Sequence, residues 1–396
     1  MTKIVGVSDG TGNVLSGSIL MSIWSASVTS HSATQIVLSV SGKSLTLTGT
    51  GFANFDSSGH PSAGTITGVQ LNSGATWSDF SISASSFWTI CKNGNVSGFD
   101  TAFFGGNDTF VSHDTSHTAG TDDAMSGYGG NDTFDMQAAS LGASAELSGG
   151  AGNDTFNFAA NFDPTTDKID GGTGTDTVVL DGTYSGLTFS AATMVNVEIL
   201  KLDAVHNYTL TTNDATVASG KTLTVDASAL GSSNSLNFNG AAETNGRFVI
   251  KGGHGADLLE GGNKADTLTG GAGADHFIYA SASQSTGTSY DTITDFNASQ
   301  DKIDVGGTVT GFDAAVTTGA LSTSSFNANL ASAIGSTQLA AHHAVEFTPN
   351  SGTLAGDHFL IIDMNGIAGY QANADLVILL GSHSSNLAHL GSGDFI

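Results

Sequence analysis

Apolar residues in this chain fall in short alternating runs, the period of strands with one buried face. Residues 34–40 alternate, Ser41-Gly42-Lys43-Ser44 supplies a turn, and residues 45–48 return, which predicts a β-hairpin. Residues 49–55 lead into a Gly/Ser/Pro loop, and residues 65–71 offer another strand. Trp77, Phe80, Ile82, Phe87 and Trp88 read as core residues of the same β domain. Further on, residues 197–202, 223–226, 236–238 and 248–250 are short apolar strands between polar turns, a spacing that suits coils of a solenoid. The best helical candidate is 326–334, where apolar residues at 326, 330, 333 and 334 share one face.

A second pattern is laid over the first. Three nonapeptides, GGHGADLLE, GGNKADTLT and GGAGADHFI, run end to end over residues 252–278, so Asp257, Asp266 and Asp275 fall nine residues apart. Each unit ends in a tripeptide whose middle residue is apolar, a minimal strand. Nine residues make half a turn, and loops 18 residues apart stack on one side. The motif recurs earlier at wider spacing. GGAGNDTFN (149–157) and GGTGTDTVV (171–179) are complete, GYGGNDTFD (127–135) is nearly so, and FFGGNDTFV (103–111) keeps its second half. Asp132, Asp154 and Asp176 are 22 residues apart and Asp108 lies 24 before Asp132, which predicts one loop per turn, all on one edge. Residues 162–170, FDPTTDKID, are echoed by FNASQDKID at 296–304, a further sign of repetition.

Composition narrows the chemistry. The chain has 396 residues, 53 of them Gly, with 10 Lys+Arg against 36 Asp+Glu and a formal charge of −26. Such a surface repels nucleic acid and anionic membranes, so neither is an expected partner. With 39% hydrophobic residues the chain is no disordered acidic tail, and its Ser, Thr, Gly and β-branched content points to an all-β fold. Cys91 is the single cysteine, so no intramolecular disulfide can staple so thin a coil. The first residues carry no signal-peptide pattern, and no stretch has the length of a membrane-spanning helix.

Glycines that accept left-handed angles let a tight loop turn carbonyl oxygens inward beside one carboxylate, an oxygen-only ligand set suited to Ca²⁺. Several such ions are expected, and they would supply the counter-charge that scarce basic residues cannot. The carboxylates are Asp108, Asp132, Asp154, Asp176, Asp257, Asp266 and Asp275. The glycines are Gly127, Gly129, Gly149, Gly150, Gly152, Gly171, Gly172, Gly174, Gly252, Gly253, Gly255, Gly270, Gly271 and Gly273. A Gly/Asp-rich series of turns without metal is the plainer alternative. The middle nonapeptide reads as the weakest, because Lys264 replaces a glycine and the positions 18 residues away, Phe248 and Gln284, are not carboxylates.

These repeats resemble those of the RTX (repeats-in-toxin) proteins. YDTITDFNASQDKIDV (290–305) is similar to the segment after the β-roll in serralysin-type C-terminal domains, and residues 343–378 resemble the final segment of that family. The resemblance implies a parallel calcium β-roll, a helix packed on the last coils, and export from a Gram-negative bacterium through type I secretion with an uncleaved C-terminal signal. It covers residues 100–180 and 250–396. The zinc signature HExxH is absent, so protease activity does not carry over.

Other candidate sites have plain readings. His113 and His117 are spaced i,i+4, but their Thr/Ser/Gly surroundings favour a loop. Gly6-Val7-Ser8-Asp9-Gly10 matches the nucleophile-elbow pattern GxSxG but has no room for the strand before it. Asp363-Met364-Asn365-Gly366 resembles half of a calcium loop that Asp375 would complete, or a β-turn.

The expected organisation is an N-terminal β domain (1–100), an array of 22-residue period (101–182), a calcium-free solenoid linker (183–250), the nonapeptide array (251–290), and a flanking and secretion segment (291–396). The expected function is a secreted, calcium-dependent β-solenoid without enzymatic activity, structural at the cell exterior as surface layer, matrix or adhesin. Its partners would be calcium, the secretion machinery, and itself or a cell-surface polysaccharide. The rival is a glycan- or host-surface-binding protein that uses residues 1–100, and a secreted enzyme of unrecognised type comes third.

Overall fold

A computed structural model of the chain describes residues 3–5, 26–40, 43–71, 76–93, 106–111, 122–137 and 144–396. Residues 6–10, 103, 104, 113 and 117, singled out above, lie outside them. The fold is all-β with parallel stacked coils, and it divides into two compact units, Met1–Leu180 with Met194–Val197, and Asp181–Thr193 with Glu198–Ile396.

In the first unit, Ser27–His31, Gln35–Val40, Lys43–Phe55, Pro61–Leu71 and Thr76–Ser83 form an antiparallel meander. The hairpin pairs Gln35 with Thr48 and Val40 with Lys43, the register its alternation predicts. Lys3–Val5 lies antiparallel to Thr76–Ser83 and parallel to Thr109–Val111, so the meander runs into the first coil. Phe87 and Trp88 are buried, as expected of core residues, and they lie on an α-helix, Ala84–Asn93. Ala84, Phe87, Trp88 and Cys91 all face inward at i, i+3, i+4 and i+7, so the helical period was present.

The coils follow from the Thr-apolar-x tripeptide. Thr109–Val111, Thr133–Asp135, Thr155–Phe158 and Thr177–Leu180 stack in parallel and in register. Phe110, Phe134 and Phe156 lie over one another with centroids 4.6 and 4.7 Å apart and interplanar angles of 7° and 10°, set by the strand spacing of a sheet. Val178 continues the column. The opposite wall is Asp122–Ser126, Ser144–Ala151, Lys168–Thr173 and Met194–Val195. Phe134 is fully buried between two rings, so Phe134→Ala is expected to cost about 3–5 kcal/mol, read as a lower urea midpoint at saturating calcium.

In the second unit one wall is Ile199–Leu202, Thr222–Asp226, Arg247–Lys251, Thr267–Thr269, Asp291–Ile293 and Leu376–Leu380. The other is Tyr184–Thr188, Tyr208–Thr211, Leu236–Asn239, Leu258–Glu260, His276–Tyr279 and Lys302–Val305. The loops of 183–250 lack the calcium motif, yet the same two walls run on through the nonapeptides. Beyond Leu376–Leu380 the sheet turns antiparallel through His358–Ile362 and His343–Phe347. A helix, Phe326–Ala333, lays Phe326 and Leu330 on Phe347, Phe359 and Val377, as the resemblance implied.

Candidate metal loops

The aspartates of the first array stand in one rank, each tied to the next by its own backbone. Oδ1 of Asp132 accepts the N–H of Asp108 at 2.7 Å, Asp154 that of Asp132 at 2.7 Å, and Asp176 that of Asp154 at 2.7 Å. Every carboxylate therefore reaches back to the coil before it. A second ladder, not anticipated from the sequence, runs beside the first. Asn107 Oδ1 accepts from Asn131 N, Asn131 from Asn153 N, and Asn153 from Thr175 N, at 2.8, 2.8 and 2.9 Å. The signal was the Asn that precedes Asp in three consecutive GNDTF repeats.

The loop glycines answer two different demands. Gly127, Gly149, Gly171, Gly252, Gly261 and Gly270 each lie against Oδ2 of the aspartate five residues later, where a Cβ would overlap it. Gly150, Gly152, Gly172, Gly174, Gly271 and Gly273 have φ between +95° and +145°, which residues with a Cβ avoid. Tyr128 takes the second-glycine place at φ 61° and is half exposed. Gly129 instead bridges to Ala151. Gly253 donates its N–H to Asp257 Oδ2, and Gly255 abuts the carbonyl of Asn234.

In the nonapeptide array the rungs alternate between two edges, as half-turn repeats require. On one edge Asp257 Oδ1 accepts Leu236 N, Asp275 accepts Asp257 N at 2.9 Å, and Asp301 accepts Asp275 N at 3.1 Å. On the other, Asp266 Oδ1 accepts Phe248 N at 2.7 Å and Asp291 accepts Asp266 N at 2.8 Å. This corrects the reading of the middle loop. Its downstream neighbour is the carboxylate of Asp291, 25 residues on, and not Gln284, because the short helix Ala282–Gln284 lengthens that turn. Lys264 carries no left-handed strain either, since it is absent from the positive-φ residues. Asp291, Asp295 and Asp301 escaped sequence reasoning because no glycine pair precedes them. Asp295 takes the N–H groups of Gly270 and Gly271, one on each oxygen, at 2.9 Å.

The internal echo is structural. Asp167 Oδ2 accepts Asp163 N and Asp301 Oδ2 accepts Asn297 N, both at 2.8 Å, so each DKID aspartate closes a four-residue turn. At the other candidate, Asp363 Oδ1 accepts the N–H groups of Asn365 and Gly366, while Asp375 Oδ2 accepts Gln371 N. Asp363 Oδ2 also accepts His342 N at 2.8 Å, Asp375 Oδ1 accepts Met364 N at 3.4 Å, and burial, helped by the Asp363 charge, pushes the Asp375 carboxyl up to about 7, so the two carboxylates lie together.

Burial makes the rank electrostatically costly. It pushes the Asp132 carboxyl up to about 8, with the charges of Asp154 and Asp108 adding to the shift. Burial likewise takes Asp275 to about 7 and Asp266 to about 6, and Asp291 rises because of burial and the charge of Asp266. Oδ2 of Asp132 and of Asp154 is buried with no hydrogen-bond donor in reach. A buried carboxylate oxygen without a donor calls for a proton or a cation. The residues present thus fit a hard cation, one carboxylate per loop with main-chain oxygens beside it. Among the described residues no three His, Cys, Asp or Glu side chains converge on one point.

A family model described as the peptidase M10 serralysin C terminal matches residues 79–347, more than half of the chain. No curated protein matches the sequence. No helix among the described residues is long and apolar enough to cross a membrane.

Proposed function

From a chain that belongs to the serralysin C-terminal family of M10 peptidases, the family of the RTX β-roll, we propose a secreted protein that folds on calcium outside the cell and serves there as a structural element. The family is associated with calcium and with type I secretion from Gram-negative bacteria, and the matched domain is the non-catalytic part of serralysins. The observation that carries the calcium reading is the pair of buried, donorless carboxylate oxygens on Asp132 and Asp154. Successive aspartates of each rank, together with loop carbonyls, would hold the ions. Asp108, Asp132, Asp154 and Asp176 bracket up to three of them, and Asp257 with Asp275 and Asp266 with Asp291 bracket others. The structural role rests on the absence of a protease motif and on the net charge of −26, which keeps copies apart until divalent cations bridge them.

Light scattering and imaging at rising Ca²⁺, after folding has saturated, test that role. Ordered sheets or filaments support it. A monomer that persists to ~10 mM, far above the affinities of extracellular calcium modules, transfers the role to a glycan- or surface-binding protein using residues 1–100. A glycan array then identifies the ligand.

Two predictions concern the loops. Asp291→Ala is expected to raise the calcium midpoint of folding as much as Asp275→Ala, about tenfold for the affected site, while Lys264→Gly changes it little. Calcium titrations followed by circular dichroism check both, and an Asp291→Ala curve overlying wild type would remove that residue from the site. The second prediction is a pH effect. The carboxyls of Asp266, Asp275 and Asp132 titrate near 6, 7 and 8 in the ion-free fold, against about 4 in an unfolded chain. Between those limits the folded chain holds protons that the unfolded chain has released, so stability falls as pH rises. In chelator, more β-sheet circular dichroism is expected to survive at about pH 5.5 than at about pH 8. A signal that grows with pH would contradict the assignment.

A further inference from the structure

Residues 252, 261 and 270 open successive nonapeptides, and a further unit would open at residue 279, where the chain has Tyr279. In two of these loops the second glycine gives its N–H to Oδ2 of the loop aspartate, Gly253 to Asp257 at 2.7 Å and Gly262 to Asp266 at 2.6 Å. Asp291, the next carboxylate on the Asp266 edge, has no such glycine before it. Its N–H donates to Ser285 Oγ at 2.8 Å, Ser285 Oγ donates to the Val377 carbonyl at 2.6 Å, and its Oδ1 accepts Asp266 N at 2.8 Å. Asp291 Oδ2 is left over, buried and without a hydrogen bond. The side-chain group set against this carboxyl is the Tyr279 hydroxyl, wholly buried and likewise without a completed hydrogen bond. A phenol O–H is a donor and an ionised carboxylate only accepts. Two buried polar atoms left unpaired cost more than the bond between them. Burial, with the charges of Asp291 and Asp266, holds the Tyr279 proton well above the usual phenol range, so the group stays a donor.

We infer that Tyr279 is a positioning residue of the cation site that Asp266 and Asp291 share: its O–H takes the place of the missing glycine amide and fixes the orientation in which the Asp291 carboxylate meets the ion. The inference rests on the calcium reading proposed above. It makes this site depend on one side-chain oxygen where the loops of Asp257 and Asp266 use main chain. A hydrogen bond to a ligating carboxylate carries roughly tenfold to a hundredfold in metal affinity.

Tyr279→Phe tests this, since it keeps the ring in the core and removes only the hydroxyl. Calcium bound by wild type and variant is measured by equilibrium dialysis, and deuterium exchange of the Asp266 and Asp257 amides is followed in the same samples. One ion is expected to leave the tight class and to return at roughly tenfold to a hundredfold higher Ca²⁺. The Asp266 amide, which donates to Asp291, is expected to gain full protection only with that weaker ion, whereas the Asp257 amide, which donates to Asp275, keeps its wild-type curve. A binding isotherm coincident with wild type overturns the inference even if the melting temperature falls, because a merely structural hydroxyl changes stability without changing binding. Wild-type protein that takes up no calcium overturns the calcium reading as well, so the wild-type isotherm separates the two failures. Should the variant lose its β-sheet circular dichroism, a crystal structure of the wild type in calcium decides. A Tyr279 hydroxyl about 2.5–2.7 Å from Asp291 Oδ2 supports the assignment, and a hydroxyl bonded elsewhere overturns it.

Discussion

Full chelation of calcium is expected to abolish the β-sheet circular dichroism of this protein. The stacked coils have short strands, and the rank of aspartates is held out of water. At ~1 mM Ca²⁺ and a Kd of ~10⁻⁴ M, each site contributes about 1.4 kcal/mol by mass action. Several sites together are comparable with the ~5–15 kcal/mol that a folded domain has in total. Removing the ions also restores mutual repulsion among Asp108, Asp132 and Asp154, whose backbones and carboxylates are linked rung to rung. A titration with EGTA at neutral pH, followed in the far ultraviolet and by melting, checks this. An unchanged spectrum and melting temperature after full chelation would rule out calcium as the folding agent.

The second large effect is expected from one methyl group. Gly152→Ala places a Cβ at φ 135°, a region essentially closed to other residues, and drives it into the carbonyl of Gly130 in the preceding coil. Backbone strain of this kind costs about 1–3 kcal/mol, and relieving the overlap requires two coils to separate. A loss of ~3 kcal/mol or more at saturating calcium is expected. Gly231→Ala is the matched control, since its nearest neighbour would be Asn234 Oδ1 at 3.8 Å and its φ is not positive. It should stay within about 0.5 kcal/mol of wild type. Urea denaturation of the two variants decides, and equal losses would mean that the loop tolerates a spread the packing denies.

Local rules made much of this fold readable. A nonapeptide carries its own turn, strand and acidic residue within nine positions, so periodicity alone sets the stacking of Asp257 with Asp275. The same holds for the 34–48 hairpin and for the helix at Phe326–Ala333, where alternation and helical period coincide with the final structure. The sequence was misleading where contacts are long-range. Asp291 joins Asp266 because a 25-residue turn replaces an 18-residue one, and a fixed period cannot register an insertion. Asp295 and Asp301 have no glycines to announce them, and their partners are backbone amides about 25 residues back. The 84–93 helix was obscured by its aromatics, which suit a strand as well as a buried helix face. The bridge between Ile303 and Phe395 had no signal beyond a short polar run closing on two apolar residues.

Tandem repeats carry an ambiguity that globular sequences avoid: one copy can stand in for another. In the first array a strand displaced by a whole repeat would still find threonine opposite threonine and aspartate opposite aspartate, so neither the main chain nor the acidic rank would register the mistake. The phenylalanine column and the asparagine ladder break this degeneracy. Val178 follows Phe156, and Thr175 follows Asn153, so the fourth coil is chemically distinct from the three before it. A chain shifted by one unit forfeits a ring-on-ring contact and an amide rung together. The array therefore encodes not only how its coils stack but which coil is last, and the two side-chain columns act as a parity check on the count.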